Sequence, residues 1–108
     1  HIKQRYNELE KYTFSHNQYF IVPAKSMEEL VDESKQQSHC VRNYAKLYAE
    51  GECDLYFMRE KETPKQSLVT VEVKNGRVVQ SRGRFNSNIN TKQKRFLNLW
   101  QKKVLKVA

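Results

Sequence analysis

The sequence predicts an α+β domain: an antiparallel sheet of four to five strands packed by about three to four helices. Three stretches carry that prediction. "LVTVEVKNGRVVQSRG" alternates apolar and polar residues on both sides of Asn75-Gly76, the dipeptide favoured in a type I′ hairpin turn. Ser26 and Glu29 are expected to form a capping box, in which each side chain satisfies the other residue's free backbone N–H, just ahead of a helical pattern. "TKQKRFLNLWQKKVLKV" turns Phe96, Leu97, Trp100 and Val104 inward at helical spacing, with Lys92, Lys94, Arg95, Lys102 and Lys106 mostly outward.

The other elements follow in chain order. Ile2, Tyr6 and Leu9 recur at near-helical spacing and predict a short opening helix. "YTF" and "YFIV" read as two short strands around the polar turn "SHNQ", with Pro23 ending the second. The capped helix runs to about Gln37, with Met27, Leu30, Val31 and Ser34 on one face. A second helix, from about His39 to Glu50, aligns Val41, Tyr44, Ala45 and Tyr48, and Gly51 stands where a left-handed C-cap is wanted. "CDLYFMRE" is apolar on both faces and predicts a central strand. "ETPKQ" and "RFNSNIN" are loops.

The Asn75-Gly76 turn also predicts a register. Lys74 opposes Arg77, Val73 opposes Val78, Glu72 opposes Val79 and Val71 opposes Gln80. Val69, Val71, Val73 and Val78 then share a face with Gln80 and Arg82, and Thr70, Glu72, Val79 and Ser81 lie on the other.

A chain of 108 residues makes one domain, here 1–108, with a single modest core. Its 11% aromatic content argues against disorder. No apolar run approaches the roughly 18 residues that span a bilayer, so no membrane partner is expected. With no initiator Met and no secretory pattern, the chain is expected to be part of a larger cytoplasmic protein. Two cysteines are too few for a disulfide scaffold. His16, His39, Cys40 and Cys53 lack the paired spacing of a zinc site, so neither metal nor cofactor is expected.

The charge is segregated. Up to Val73 there are ten basic and twelve acidic residues; from Lys74 onward there are ten basic residues and no acidic one. Such asymmetry suits a polyanionic partner, although a solvated basic face or a dock for an acidic protein surface has the same composition. Arg77, Arg82, Arg84, Lys92, Lys94 and Arg95 gather on the hairpin, loop and last helix, interleaved with Asn86, Ser87 and Asn88 and near Phe85. This mixture suits phosphates and the unstacked bases of single strands. No RNP aromatics, KH-type GxxG loop or zinc finger accompanies it.

Candidate chemistry centres on "SHCVRNY". His39 and Cys40 begin a helix, where the dipole favours a thiolate. Neighbours on a helix point about 100° apart, however, so His39 is poorly placed as a base for Cys40. A small buried Cys40 and a structural His39 are the plainer reading. Tyr44 reads as core unless its hydroxyl meets a partner such as His39 or Gln80. Glu72 reads as a surface pair with Lys74 or Arg82, or as a general base if burial tunes it.

Several stretches together resemble the PcfJ-like proteins of bacterial conjugative plasmids, integrative elements and phages. They are "FIVPAKSMEELVDESKQQSHCVRNYAKLYAEGECDLYFMRE", Pro64, "LVTVEV", "RVVQSRGRFN" and Trp100, covering about residues 20 to 100. Family members usually carry a glycine ahead of the His-Cys helix and often a second histidine beside the first. Ser34 and Ser38 occupy those places here. The resemblance nominates His39, Cys40, Tyr44, Glu72, Gln80, Arg82 and Asn86, and implies a mobile-element setting without supplying a reaction. The leading expectation is therefore an accessory domain that binds DNA or RNA through phosphate contacts of its basic half. One alternative is a nuclease or transferase using His39, Tyr44, Glu72 and Gln80. The other is an interaction module for proteins of the same element.

Overall fold

Asn75 and Gly76 both take positive φ, 53° and 75°, the hand that a two-residue loop between twisted strands requires. Lys74 lies opposite Arg77, and Val73 opposite Val78. This hairpin closes one edge of the fold seen in a computed structural model of the protein, which describes residues 1–37 and 42–106. The strands are β1 (Phe14–His16), β2 (Tyr19–Pro23), β3 (Asp54–Glu60), β4 (Val69–Lys74) and β5 (Arg77–Arg82). They form one antiparallel sheet in sequence order, with β3 at its centre. Among the described residues four α-helices accompany them: α1 (Ile2–Leu9), α2 (Met27–Gln37), α3 (Arg42–Ala49) and α4 (Thr91–Trp100). The α+β class, the strand and helix numbers and the central place of "CDLYFMRE" are as the sequence predicts.

Side chains alternate across a sheet, so the register sorts them into two faces. Ile21, Tyr56, Met58, Val69, Val71 and Val73 are buried on one. Helix α4 covers this face with aromatic rings. Trp100 meets Tyr56 edge-on at 4.8 Å between ring centres, and Phe96 stands 5.7 Å from both Phe14 and Tyr19. The Trp100 indole N–H donates to the Tyr12 carbonyl at 2.7 Å, so the buried ring keeps no unpaired donor. Asn90 and Gln93 cap α4 reciprocally, each side chain accepting from the other's backbone N–H at 2.8 and 2.9 Å. At its far end α4 widens into a π-helical turn, Gln101–Leu105. The Gln101 amide there donates to the Leu97 carbonyl and accepts from the Val78 N–H, tying down the backbone of the edge strand β5.

The opposite face carries Phe57, Arg59, Thr70 and Glu72, and α2 reaches it through a charged residue. Ser26 accepts from the Glu29 N–H at 3.1 Å as expected, while the Glu29 carboxylate reaches one residue further back, to the Lys25 N–H at 2.8 Å. The buried stripe of α2 is Leu30, Glu33 and Gln37. Met27 and Val31, expected inward, are instead 50% and 40% exposed. The helix is turned because Arg59 and Thr70 give Glu33 partners beneath it, so a carboxylate takes a core position that apolar periodicity assigned elsewhere.

α3 lies in the connection between the adjacent strands β2 and β3. Ala45 and Tyr48 are buried, and the Tyr48 hydroxyl donates to the Ala24 carbonyl at 2.6 Å. Gly51 takes φ +80° after α3, the left-handed exit expected of it. Arg5 of α1 joins this corner, donating to the Tyr48 carbonyl at 3.0 Å and pairing with both Asp54 and Glu8.

The register beyond Val73 differs from the expected one. An irregularity at Glu72/Val73 sets Glu72 opposite Gln80, Val71 opposite Ser81 and Thr70 opposite Arg82. One extra residue on β5 is a β-bulge, and a one-residue slip moves every later side chain to the other face. Val79 is that residue and stands 53% exposed. Gln80 and Arg82 therefore share a face with Thr70 and Glu72, not with the valines. A polar pair against Val71 would have lacked partners; the bulge places it beside polar residues.

Candidate nucleic-acid interface and the buried polar seam

Two polar features stand out, one inside the fold and one on it. The inner one begins at Glu33, which is 0% exposed. Its carboxylate accepts from Arg59 Nη2 at 2.5 Å through one oxygen, and from Thr70 Oγ1 at 2.5 Å through the other. One turn on, the buried Gln37 amide donates to Ser67 Oγ at 2.5 Å, and Gln36 accepts from the Ser67 backbone N–H at 2.7 Å. The Arg59 guanidinium also lies 4.9 Å from the Phe57 ring centre. A buried charge is tolerated only when paired and fully bonded, and Glu33 meets that condition with one cation and one hydroxyl. On the same sheet face, toward β5, stand Glu72, 3.9 Å from Lys74 Nζ, and the residues set opposite it and Thr70, Gln80 and Arg82.

The outer feature is the basic rim. Arg77, Arg84, Lys92, Lys94, Arg95, Lys102, Lys103 and Lys106 are exposed, and Arg82 is half-buried. Of the ten cations from Lys74 onward, only Lys74 has a carboxylate within ion-pair distance among the described residues. In the other half Arg5 and Arg59 are paired internally, while its lysines, like most of the rim, have no carboxylate within ion-pair distance among the described residues. What sets the second half apart is that it contains no acidic residue. Two grooves flank α4. One, of about 490 Å³, runs between β5 and α4 and is lined by Ser81, Arg82, Asn88, Lys94 and Gln101 among others. The second, of about 410 Å³, lies between the β1–β2 turn and α4, with His16, Asn17, Lys92 and Arg95 on its walls.

The residues nominated from the sequence divide accordingly. Glu72, Gln80 and Arg82 come together on one sheet face. Tyr44 is half-buried on α3 and packs against the core. His39, Cys40 and Val41 lie outside the described residues. Arg77, Arg84, Asn86, Lys92, Lys94 and Arg95 are exposed on the basic half, with Lys94 and Arg82 on one groove and Lys92 and Arg95 on the other. Sequence reasoning missed Glu33, Arg59 and Thr70. The available signal was Arg59 directly after the apolar run 55–58, with one carboxylate of α2, Glu33, spaced three from Leu30 and four from Gln37.

Cys53 is a buried free thiol whose pKa is pushed up to about 11, chiefly by burial and further by the nearby Glu72 charge. Burial also raises the Tyr48 and Tyr56 hydroxyls well above the usual phenol range. Among the described residues no three His, Cys, Asp or Glu side chains gather as metal ligands do, and no helix is long and apolar enough to cross a membrane.

Fold and surface together define a small α+β domain with an ion-paired seam inside and a basic rim outside whose cations, Lys74 apart, have no carboxylate in ion-pair distance among the described residues. The chain belongs to the PcfJ-like protein family, whose sequence model matches residues 1–97. It is also similar to "Uncharacterized protein Lin1253/Lin1744" of Listeria innocua serovar 6a (strain ATCC BAA-680 / CLIP 11262), with 44% identity over 72 residues. That match covers 65% of this chain and 16% of the Listeria protein's length. No solved structure matches the chain.

Proposed function

We propose that this domain is an accessory nucleic-acid-binding part of a bacterial mobile-element protein, such as one encoded by a plasmid or phage. It holds DNA or RNA mainly by its phosphates, through the basic half from β5 to the π-helical turn. The observation that carries this reading is that the half from Lys74 onward holds ten cations and no acidic residue: a positive surface left unneutralised is free to displace counterions from a polyanion. What supports the mobile-element setting is the resemblance to PcfJ-like proteins described above.

The test is the salt dependence of binding to a labelled DNA duplex. With about five phosphate contacts, log K falls with log salt at a slope of about −4.5. Reversing the charge at Arg84, Lys92, Lys94 and Arg95 flattens that slope. An unchanged slope, or no binding at low salt, overturns the proposal.

A further inference from the structure

Beyond Arg82 the chain makes a short turn closed from both sides. The Gly83 N–H donates to the Ser87 carbonyl at 2.9 Å, and the Ser87 N–H donates to the Arg84 carbonyl at 3.2 Å. Inside it Phe85 takes φ 57° and ψ 33°, and Asn86 follows with φ 60°. Asparagine visits this left-handed region readily, but a bulky side chain there is a costly outlier. The ring is also 71% exposed and takes no part in the hydrophobic core. Phe85 thus carries two penalties, a strained backbone and an apolar ring in water, and glycine or asparagine would remove both. Strain retained in this way marks positions with a task beyond folding.

The surroundings indicate the task. The Arg84 guanidinium lies 5.7 Å from the Phe85 ring centre. Arg82, where β5 ends, lines the groove that Asn88 and Lys94 share. An exposed aromatic face beside unpaired cations is the combination that holds an unstacked base while its phosphates are neutralised. We infer that Phe85 is a stacking platform for a base of single-stranded nucleic acid, with Arg84 and the β5–α4 groove taking the adjoining backbone. This rests on the nucleic-acid reading above and adds to it a preference for single strands, because the bases of an intact duplex offer no free face and a duplex is held by its phosphates alone. Stacking does not read the sugar, so DNA and RNA strands are held alike.

The experiment measures binding of labelled oligothymidylate, oligouridylate and a hairpin duplex to wild type, Phe85→Ala and Phe85→Trp. Phe85→Ala is expected to weaken both single strands by about 5- to 150-fold and to leave the duplex unchanged. Phe85→Trp keeps the affinity, and its indole fluorescence is quenched by the single strands; Trp100 is fully buried and supplies only a constant background. Since the ring is exposed, thermal melting of Phe85→Ala should be no lower than wild type. If Phe85→Ala binds single strands as wild type does while the charge reversals still weaken binding, stacking is overturned and the phosphate reading stands. If wild type binds none of the three at low salt, both fall, and the exposed ring is better explained by a protein partner.

Discussion

The two faces of the sheet solve the same packing problem by different means. Under α4 the contact is aromatic, with Trp100, Phe96, Tyr56, Tyr19 and Phe14 supplying area and edge-on geometry. Under α2 the contact includes an ion pair, Glu33 with Arg59, completed by Thr70. An apolar face loses stability in proportion to the atoms removed. A paired polar face loses most when one partner goes and the other remains buried. The difference between the faces is therefore less in their strength than in how they fail.

The largest effects should expose that difference. Trp100→Ala leaves a large cavity and should cost about 3–5 kcal/mol in a denaturant titration. Glu33→Ala strands the Arg59 guanidinium and should cost a similar amount, about 3–5 kcal/mol. Rescue separates the two. Replacing Glu33 and Arg59 by Leu and Thr70 by Val together should restore most of the loss, because well-packed apolar side chains often equal a buried ion pair. No change at Tyr56 should rescue Trp100→Ala. A loss below about 1 kcal/mol for Glu33→Ala would put the pair in the class of surface salt bridges and break the comparison.

The bulge at β5 is the next test, since it decides which face receives polar residues. Deleting Val79 removes the extra residue and leaves Gln80 opposite Glu72 and Arg82 opposite Thr70 in an unbroken ladder, so both faces keep their side chains and the melting temperature should change little. Deleting Ser81 instead sets a polar side chain opposite Val71, Arg82 if the bulge persists and Gln80 if it closes, and should lower the melting temperature steeply. Val79→Thr, at an exposed site, should change stability by no more than about 0.5 kcal/mol. Equal effects of the two deletions would show that the bulge does not govern the register.

These cases also show what the sequence could reveal. The turn at Asn75-Gly76, the capping box at Ser26, the Gly51 exit and the central strand each depend on a few neighbouring residues, and each was legible. Val79 was not: a bulge leaves the alternation of "RVVQSR" intact as text and changes only what lies opposite. Glu33 was hidden for a related reason. A carboxylate on a helix reads as solvent-facing unless its cation is known, and Arg59 lies 26 residues away. Of the candidate site, the basic composition and the Glu72, Gln80 and Arg82 set were visible. That the last three share one face required the pairing of β4 with β5.

A smaller contrast lies between two buried tyrosines. The Tyr48 hydroxyl has the Ala24 carbonyl as partner, while the Tyr56 hydroxyl, against Trp100, has none among the described residues. Tyr48→Phe should therefore cost about 1 kcal/mol, and Tyr56→Phe should be neutral or stabilising. The same melting experiment on both variants checks this, and a loss at Tyr56→Phe equal to that at Tyr48→Phe would mean that its hydroxyl finds a partner in solution.

The smallest effect concerns proton binding at Cys53, where the charge of the polar face reaches a buried thiol. In the fold the thiol ionises at about 11, whereas in an unfolded chain it does so near about 8.5. Between those values the folded state holds a proton that the unfolded state has released, so stability falls as pH rises through that window. Below it both states are protonated and Cys53 contributes no slope. The raised Tyr48 and Tyr56 hydroxyls act in the same direction above about pH 10, where unfolded tyrosines ionise. Stability measured at a series of alkaline pH values should decline more steeply in wild type than in Cys53→Ala, the difference growing from about pH 9. Glu72→Gln removes a charge that helps to raise the thiol pKa and should bring the upper end of the window down, whereas Lys74→Gln removes an opposing charge and should move it up. Identical slopes in wild type and Cys53→Ala would show that the thiol titrates alike in both states, and that Glu72 on the polar face exerts no influence on the interior beside it.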